Sequence, residues 1–151
     1  MATRSNIAYK TEDGTIRSIY CHWDGYPAHN GEMLRRHYND IEKIKALIEL
    51  GSLSSLRPEI GSKQDFDDRS TQKEDWTLAY HRDRGEQLVI SEYDDVPSWI
   101  EDMEEYAYLW DGREWLVNDH GERDQKDGFP IFDFVETKIT PDMLEMVGWD
   151  K

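Results

Sequence analysis

The chain of 151 residues has one cysteine, five prolines, and no apolar run approaching the length of a membrane span. A lone thiol, Cys21, makes no intramolecular disulfide, which suits a reducing compartment. Crossing a bilayer takes roughly 20 consecutive apolar residues, and the opening Met1-Ala2-Thr3-Arg4-Ser5-Asn6 lacks the apolar stretch of a secretion signal. The expectation is a cytoplasmic protein with no membrane partner. Basic residues are scarce too: 18 Lys and Arg face 33 Asp and Glu, a formal net charge of -15. Such a charge repels nucleic-acid phosphates and anionic lipid surfaces. Neither GxxxxGK[ST] nor GxGxxG occurs, and there is no HExxH and no CxxC pair. No cofactor and no metal is therefore expected.

Core-forming material is present. Hydrophobic residues make up 37% of the chain and aromatics 12%, with six Trp and eight Tyr. This excludes a wholly disordered acidic chain. A domain of this size buries about 70% of its unfolded surface and needs no staple. One domain over 1–151 is expected.

The acidity is confined to the second part. Residues 1–64 carry nine Lys/Arg and eight Asp/Glu, a net of +1, whereas residues 65–151 carry nine and twenty-five, a net of -16. Residues 92–124 alone hold twelve acids and two arginines. Direct nucleic-acid binding is thus excluded through 65–151, while the first part leaves room for a phosphate-bearing ligand.

Asn6–Lys10 and Thr15–Trp23 read as strands joined at Glu12-Asp13-Gly14, a hairpin signal. Alternation puts Ile19, Cys21 and Trp23 on a core face and His22 on the opposite one. Asp24-Gly25-Tyr26-Pro27 stops the strand. Apolar spacing from Met33 to Ile48 predicts helices over about 31–38 and 40–50, with Asn39 and Glu42 resembling a capping box and Gly51 ending the second. Residues 57–75 form a polar loop with the composition of a mobile segment. Trp76–Tyr80 and Gln87–Ser91 are candidate strands connected by Arg82-Asp83-Arg84-Gly85. Asp94 or Asp95 caps a helix from Pro97. Tyr106–Trp110, Asp111-Gly112 and Glu114–Asn118 make a second hairpin, Phe129–Val135 a further strand, and Thr140-Pro141 opens a last helix. The class is α+β: a single compact domain, mainly antiparallel sheet from hairpins, packed against a few short helices.

Three constellations carry chemistry. In Cys21-His22-Trp23-Asp24-Gly25-Tyr26-Pro27, alternation separates Cys21 from His22 and argues against a nucleophile–base pair. His22 and Asp24 lie on one side and would bind a metal only with ligands from elsewhere. In Tyr80-His81-Arg82-Asp83-Arg84-Gly85, two arginines suit a phosphate or carboxylate, or pair with neighbouring acids. The acids Glu101, Asp102, Glu104, Glu105, Asp111 and Glu114 suit either a solvated face or a surface meeting a basic partner.

The run Ile19–Pro27 resembles a motif in a family of small proteins from bacteriophages and prophages. The similarity continues at Leu34-x-x-His37-Tyr38, Ile48-x-Leu50-Gly51-x-Leu53-Ser54, Tyr80–Glu86 and Glu105–Gly112. This resemblance implies an accessory phage protein acting in the host cytoplasm, and it supplies no reaction and no catalytic residues. The first reading is a non-enzymatic protein that binds a host protein with a basic surface, through Glu101, Asp102, Glu104, Glu105, Asp111 and Glu114, as an anti-defence inhibitor or nucleic-acid mimic. The alternative is a small enzyme or a binder of a phosphorylated ligand or nucleotide, its pocket formed by His22, Asp24, Tyr26, Arg82 and Arg84. That alternative requires two motifs far apart in sequence to share one cleft. Oligomeric state stays open.

Overall fold

The computed structural model describes residues 2–119 and 129–130. The helix expected from Thr140, the loop beyond Asp119 and the strand expected past Pro130 lie outside the described residues.

The first hairpin forms as its turn chemistry predicts. Strand β1 (Ser5–Lys10) pairs antiparallel with β2 (Ile16–Cys21), placing Ile7 opposite Ile19 and Ala8 opposite Ser18. Asp13 Oδ1 accepts the Thr15 amide at 3.1 Å and holds the turn. Beyond β2 come a wide π-type turn at Pro27–Gly31, helix α1 (Glu32–His37), helix α2 (Ile41–Ile48) and strand β3 (Leu53–Ser55). Strand β4 (Leu78–Ala79), helix α3 (Tyr80–Arg84), strand β5 (Ser91–Tyr93) and helix α4 (Val96–Glu101) follow. The second hairpin joins β6 (Tyr106–Trp110) to β7 (Trp115–Asp119), and β8 (Phe129–Pro130) lies beside β7.

These strands form one mixed sheet in the order β4-β3-β2-β1-β6-β7-β8, consistent with the expected α+β class. Hairpin pairs are antiparallel, but β1–β6 and β2–β3 are parallel, the latter linked by a crossover through α1 and α2. Short β5 runs antiparallel to the first half of β2, beside Ile16–Ser18, while β3 meets β2 at Cys21.

Both faces of the central strands are covered. On one, Met33, Leu34 and Tyr38 with Ile44, Leu47 and Ile48 of α2 pack against Ile7, Ile19, Cys21 and Tyr108. On the other, Trp99, Ile100 and Met103 pack on Ala8, Ile16, Ala107 and Leu109. The small side chains Ala8 and Ala107 leave room for the Trp99 indole, whose Nε1–H donates to Ser18 Oγ at 2.9 Å. Asp95 caps α4 through its Oδ1, which accepts the Ser98 amide at 2.9 Å. Trp110 and Trp115 meet edge to face at 5.6 Å, and the Trp115 indole donates to the Tyr38 carbonyl at 2.7 Å.

Several local expectations are corrected. Trp23 is not a core residue: β2 ends at Cys21, and the indole is 44% exposed. No capping box forms before α2, since Asn39 Nδ2 instead donates back to the Arg35 carbonyl at 2.6 Å. Arg82-Asp83-Arg84 is not a strand connection but the body of α3, which Gly85 terminates at φ 77°. The strand expected over Gln87–Ser91 is displaced to Ser91–Tyr93.

The polar 57–75 stretch is tied down along its length. Thr77 N–H donates to the Glu59 carbonyl at 2.8 Å, and Glu59 N–H to the Asp75 carbonyl at 2.9 Å. The buried Asp83 carboxylate accepts the Gln64 and Ala79 amides at 2.8 and 2.7 Å. Arg82 closes the arrangement by donating to the carbonyls of Ile60 and Thr77 at 2.8 and 2.7 Å.

Candidate ligand-binding cleft

The turn after β2 is fixed by its backbone. His22 and Trp23 amides donate to the Leu53 and Ser54 carbonyls at 2.9 and 3.0 Å, and Gly25 N–H to the Thr3 carbonyl at 2.8 Å. The buried Tyr108 hydroxyl donates to the Gly25 carbonyl at 2.6 Å. Gly25 is required here: a Cβ would stand 2.8 Å from both Ser5 Cβ and the Thr3 carbonyl oxygen. Asp24 takes φ 58°, a left-handed conformation unusual outside glycine and least costly for Asn and Asp. Strain of this kind persists only where the surroundings enforce it, and it clusters at binding sites. The outcome is a rigid mount carrying an exposed indole and a carboxylate.

This mount forms one wall of a cleft of about 770 Å³. His22, Trp23 and Asp24 line it together with Ser54, Ser55 and Arg57 from the β3 region. The loop supplies Phe66, Arg69, Gln72, Lys73, Glu74 and Trp76, and the α3 region supplies Leu78, Tyr80 and Arg84. Four cations and two carboxylates thus line a cleft in a chain of net charge -15. Field lines concentrate in such a concave, low-dielectric site, so its local sign governs what enters.

Individual contacts organise these groups. Arg84 pairs with Glu86, and its guanidinium carbon lies 4.4 Å from the Phe66 ring centroid and 5.1 Å from that of Tyr80. Such stacking adds cation–π attraction and fixes the orientation of the planar guanidinium fork. The His22 ring meets Trp23 edge to face at 4.7 Å, and His22 Nδ1 shares a 2.6 Å hydrogen bond with the Tyr20 hydroxyl. Asp24 Oδ1 accepts the Tyr26 hydroxyl at 3.0 Å. Burial, with the Asp24 charge adding to it, pushes the Tyr26 phenol up to about 12, so it remains a donor. Behind the turn, Asn30 Nδ2 reaches Ser5 Oγ at 3.2 Å and Cys21 Sγ at 3.4 Å. Burial pushes the Cys21 thiol up to about 12, which leaves it protonated and unreactive.

The expected pocket residues divide. His22, Asp24 and Arg84 converge on the cleft, although His22 and Arg84 are 62 positions apart in the chain. Tyr26 does not line it and acts on Asp24. Arg82 does not line it either: it is committed to the buried Asp83 and two loop carbonyls. Among the described residues no three of His, Cys, Asp and Glu converge as metal ligands. Arg57, Phe66, Arg69, Lys73 and Trp76 also line the cleft, and no sequence motif marks them. Their one signal was aromatics interleaved with Arg and Lys in a stretch without periodicity.

The acids of the expected partner surface fall at the two ends of β6. Glu101, Asp102, Glu104 and Glu105 lie at the end of α4 and before the strand, and Asp111 and Glu114 lie in the turn after it. Asp102 accepts the Tyr93 hydroxyl at 3.0 Å, and Asp111 Oδ1 accepts the amides of Arg113 and Glu114, both at 2.9 Å. No protein-family model matches the chain, and neither does a curated protein or a solved structure.

Proposed function

We propose that this chain is a binding protein for a small phosphorylated ligand of the nucleotide type, held in the cleft between the post-β2 turn and the 57–76 loop. The phage resemblance sets the context, an accessory protein in the host cytoplasm. The observation that supports the reading is the convergence of exposed Trp23 with Arg57, Arg69, Lys73 and Arg84. An indole offers a flat face to a base, and guanidinium and ammonium groups bind phosphate oxygens. The volume suits a small ligand, since such pockets run about 300–1,000 Å³. No reacting group is assigned, so the reading is capture.

Titration with 5′-mononucleotides, followed by tryptophan fluorescence and calorimetry, tests it. Saturable binding is expected, weaker for the nucleosides, and reduced at least about tenfold in Arg69→Ala/Lys73→Ala. Absence of saturable binding for every nucleotide at millimolar concentration sinks the reading.

A second reading keeps the host protein with a basic surface as partner. What favours it is the run of exposed Glu101, Asp102 and Glu105 at the end of α4, which would speed encounter with a cationic face. Salt-sensitive capture of a host protein, lost in Glu101→Lys/Glu105→Lys, supports it. Capture that is indifferent to salt and to charge reversal counts against it.

A further inference from the structure

The cleft holds two carboxylates that a phosphate does not want, Asp24 and Glu74. Asp24 is a carboxylate beside the exposed indole, opposed in sign to the cations that would hold a phosphoryl group. A carboxylate only accepts hydrogen bonds, so a ligand reaching Asp24 must bring donors there. The Tyr26 hydroxyl fixes Oδ1 at 3.0 Å, and Oδ2 with the second lone pair of Oδ1 supplies the acceptor capacity a ligand would use. The positive φ of Asp24 and the backbone bonds of His22, Trp23 and Gly25 set this carboxylate beside a rigidly mounted indole.

We infer that the cleft reads a guanine base: the ring stacks on Trp23, its N1–H and N2–H donate to the two oxygens of Asp24, and its phosphate lies among Arg57, Arg69 and Lys73. The inference rests on the nucleotide reading given above. Of the four common bases only guanine presents two adjacent donors on one edge. Adenine and cytosine put a ring-nitrogen acceptor beside their amino group, and uracil flanks its one N–H with carbonyl oxygens. Each would set an acceptor against the carboxylate. A bidentate pair of this kind discriminates by about 1–3 kcal/mol, roughly five- to a hundredfold.

The Tyr26 bond also dictates what Asp24→Asn would do. With Oδ1 still accepting the hydroxyl, the amide NH₂ takes the place of Oδ2. One acceptor then becomes a donor, which opposes guanine N2–H and complements the C2 carbonyl of xanthine. Asn tolerates the left-handed conformation as well as Asp does, so the variant should fold.

The test is calorimetric titration of wild type and Asp24→Asn with GMP, AMP, CMP, UMP and XMP, with circular dichroism confirming the fold. Expected are at least about fivefold tighter binding of GMP than of the other nucleotides by wild type, and XMP above GMP in the variant. Equal binding of all five overturns the base assignment while the phosphate-binding cleft stands. A wild-type preference for another base also overturns it, as does a variant that loses GMP without gaining XMP, since charge alone would then explain Asp24. Binding of none of them removes the nucleotide reading as well.

Discussion

Arg82 and Asp83 are neighbours in the chain whose side chains close on each other, Nε to Oδ1 at 2.9 Å and Nη2 to Oδ2 at 3.1 Å, and together they hold the loop that walls the cleft. The Asp83 side chain is fully buried and that of Arg82 is partly exposed, at 16%. Removing one member of a buried pair leaves an uncompensated charge and costs about 3–5 kcal/mol. Asp83→Ala also orphans the Gln64 and Ala79 amides. We expect a loss of at least about 3 kcal/mol in urea unfolding, with ligand affinity falling because Phe66, Arg69 and Lys73 lose their anchor. An unchanged midpoint would show that the pair holds nothing.

Gly25 marks the other wall. In Gly25→Ala the new methyl meets Ser5 Cβ and the Thr3 carbonyl, both at 2.8 Å, at the start of β1, so the backbone itself must shift. Overpacking of this kind costs about 1–3 kcal/mol. A thermal midpoint lowered accordingly, with Trp23 fluorescence altered in the folded state, is the expected outcome. A variant as stable as wild type would contradict the close approach of the turn to β1.

Sequence periodicity made some of this architecture legible. Ile44, Leu47 and Ile48 announce α2 through their spacing, and Asp-Gly turns announce both hairpins. Helix α3 escaped because five residues cannot display a helical period, and its capping Gly85 reads equally well as a turn. Alternation misplaces Trp23 because β2 ends two residues earlier, at Cys21, before a turn in which Asp24 takes positive φ. The convergence of His22 and Asp24 with Arg84 depends on bonds such as Gln64 N–H to Asp83, which spans 19 positions and has no local signature. The cationic loop residues were hidden for the same reason.

His29 gives the fold an acid sensitivity. Only 2% of it is exposed, its Nδ1 lies 2.9 Å from Asn30 Oδ1, and its Nε2 lies 3.5 Å from Arg57 Nη1. Both contacts are satisfied when Nδ1 carries the proton and Nε2 accepts from Arg57. Burial holds the imidazole below its ordinary 6.5, with the Arg57 charge acting in the same direction and Asn30 and Asp24 opposing. As pH falls below 6.5 the unfolded chain takes up a proton that the folded one refuses. Stability is therefore full above that value and declines towards the lower folded pKa. His29→Gln should flatten this part of the unfolding profile below pH 6.5. A wild-type profile already flat there would refute the neutral buried imidazole.

Trp23→Ala separates binding from folding. At 44% exposure the indole contributes little to the core, while its backbone bonds to Ser54 and Asn30 survive truncation. The unfolding free energy should change by no more than about 1 kcal/mol, as surface truncations do. A stacked base, by contrast, is worth about 1–3 kcal/mol to the complex, so nucleotide affinity should fall roughly five- to a hundredfold. Trp23→Phe, which keeps an aromatic face, should recover part of that loss. If alanine costs stability and affinity in equal measure, the indole serves the fold. If it costs neither, the exposed ring is not a platform and the ligand must sit deeper, towards Phe66 and Tyr80.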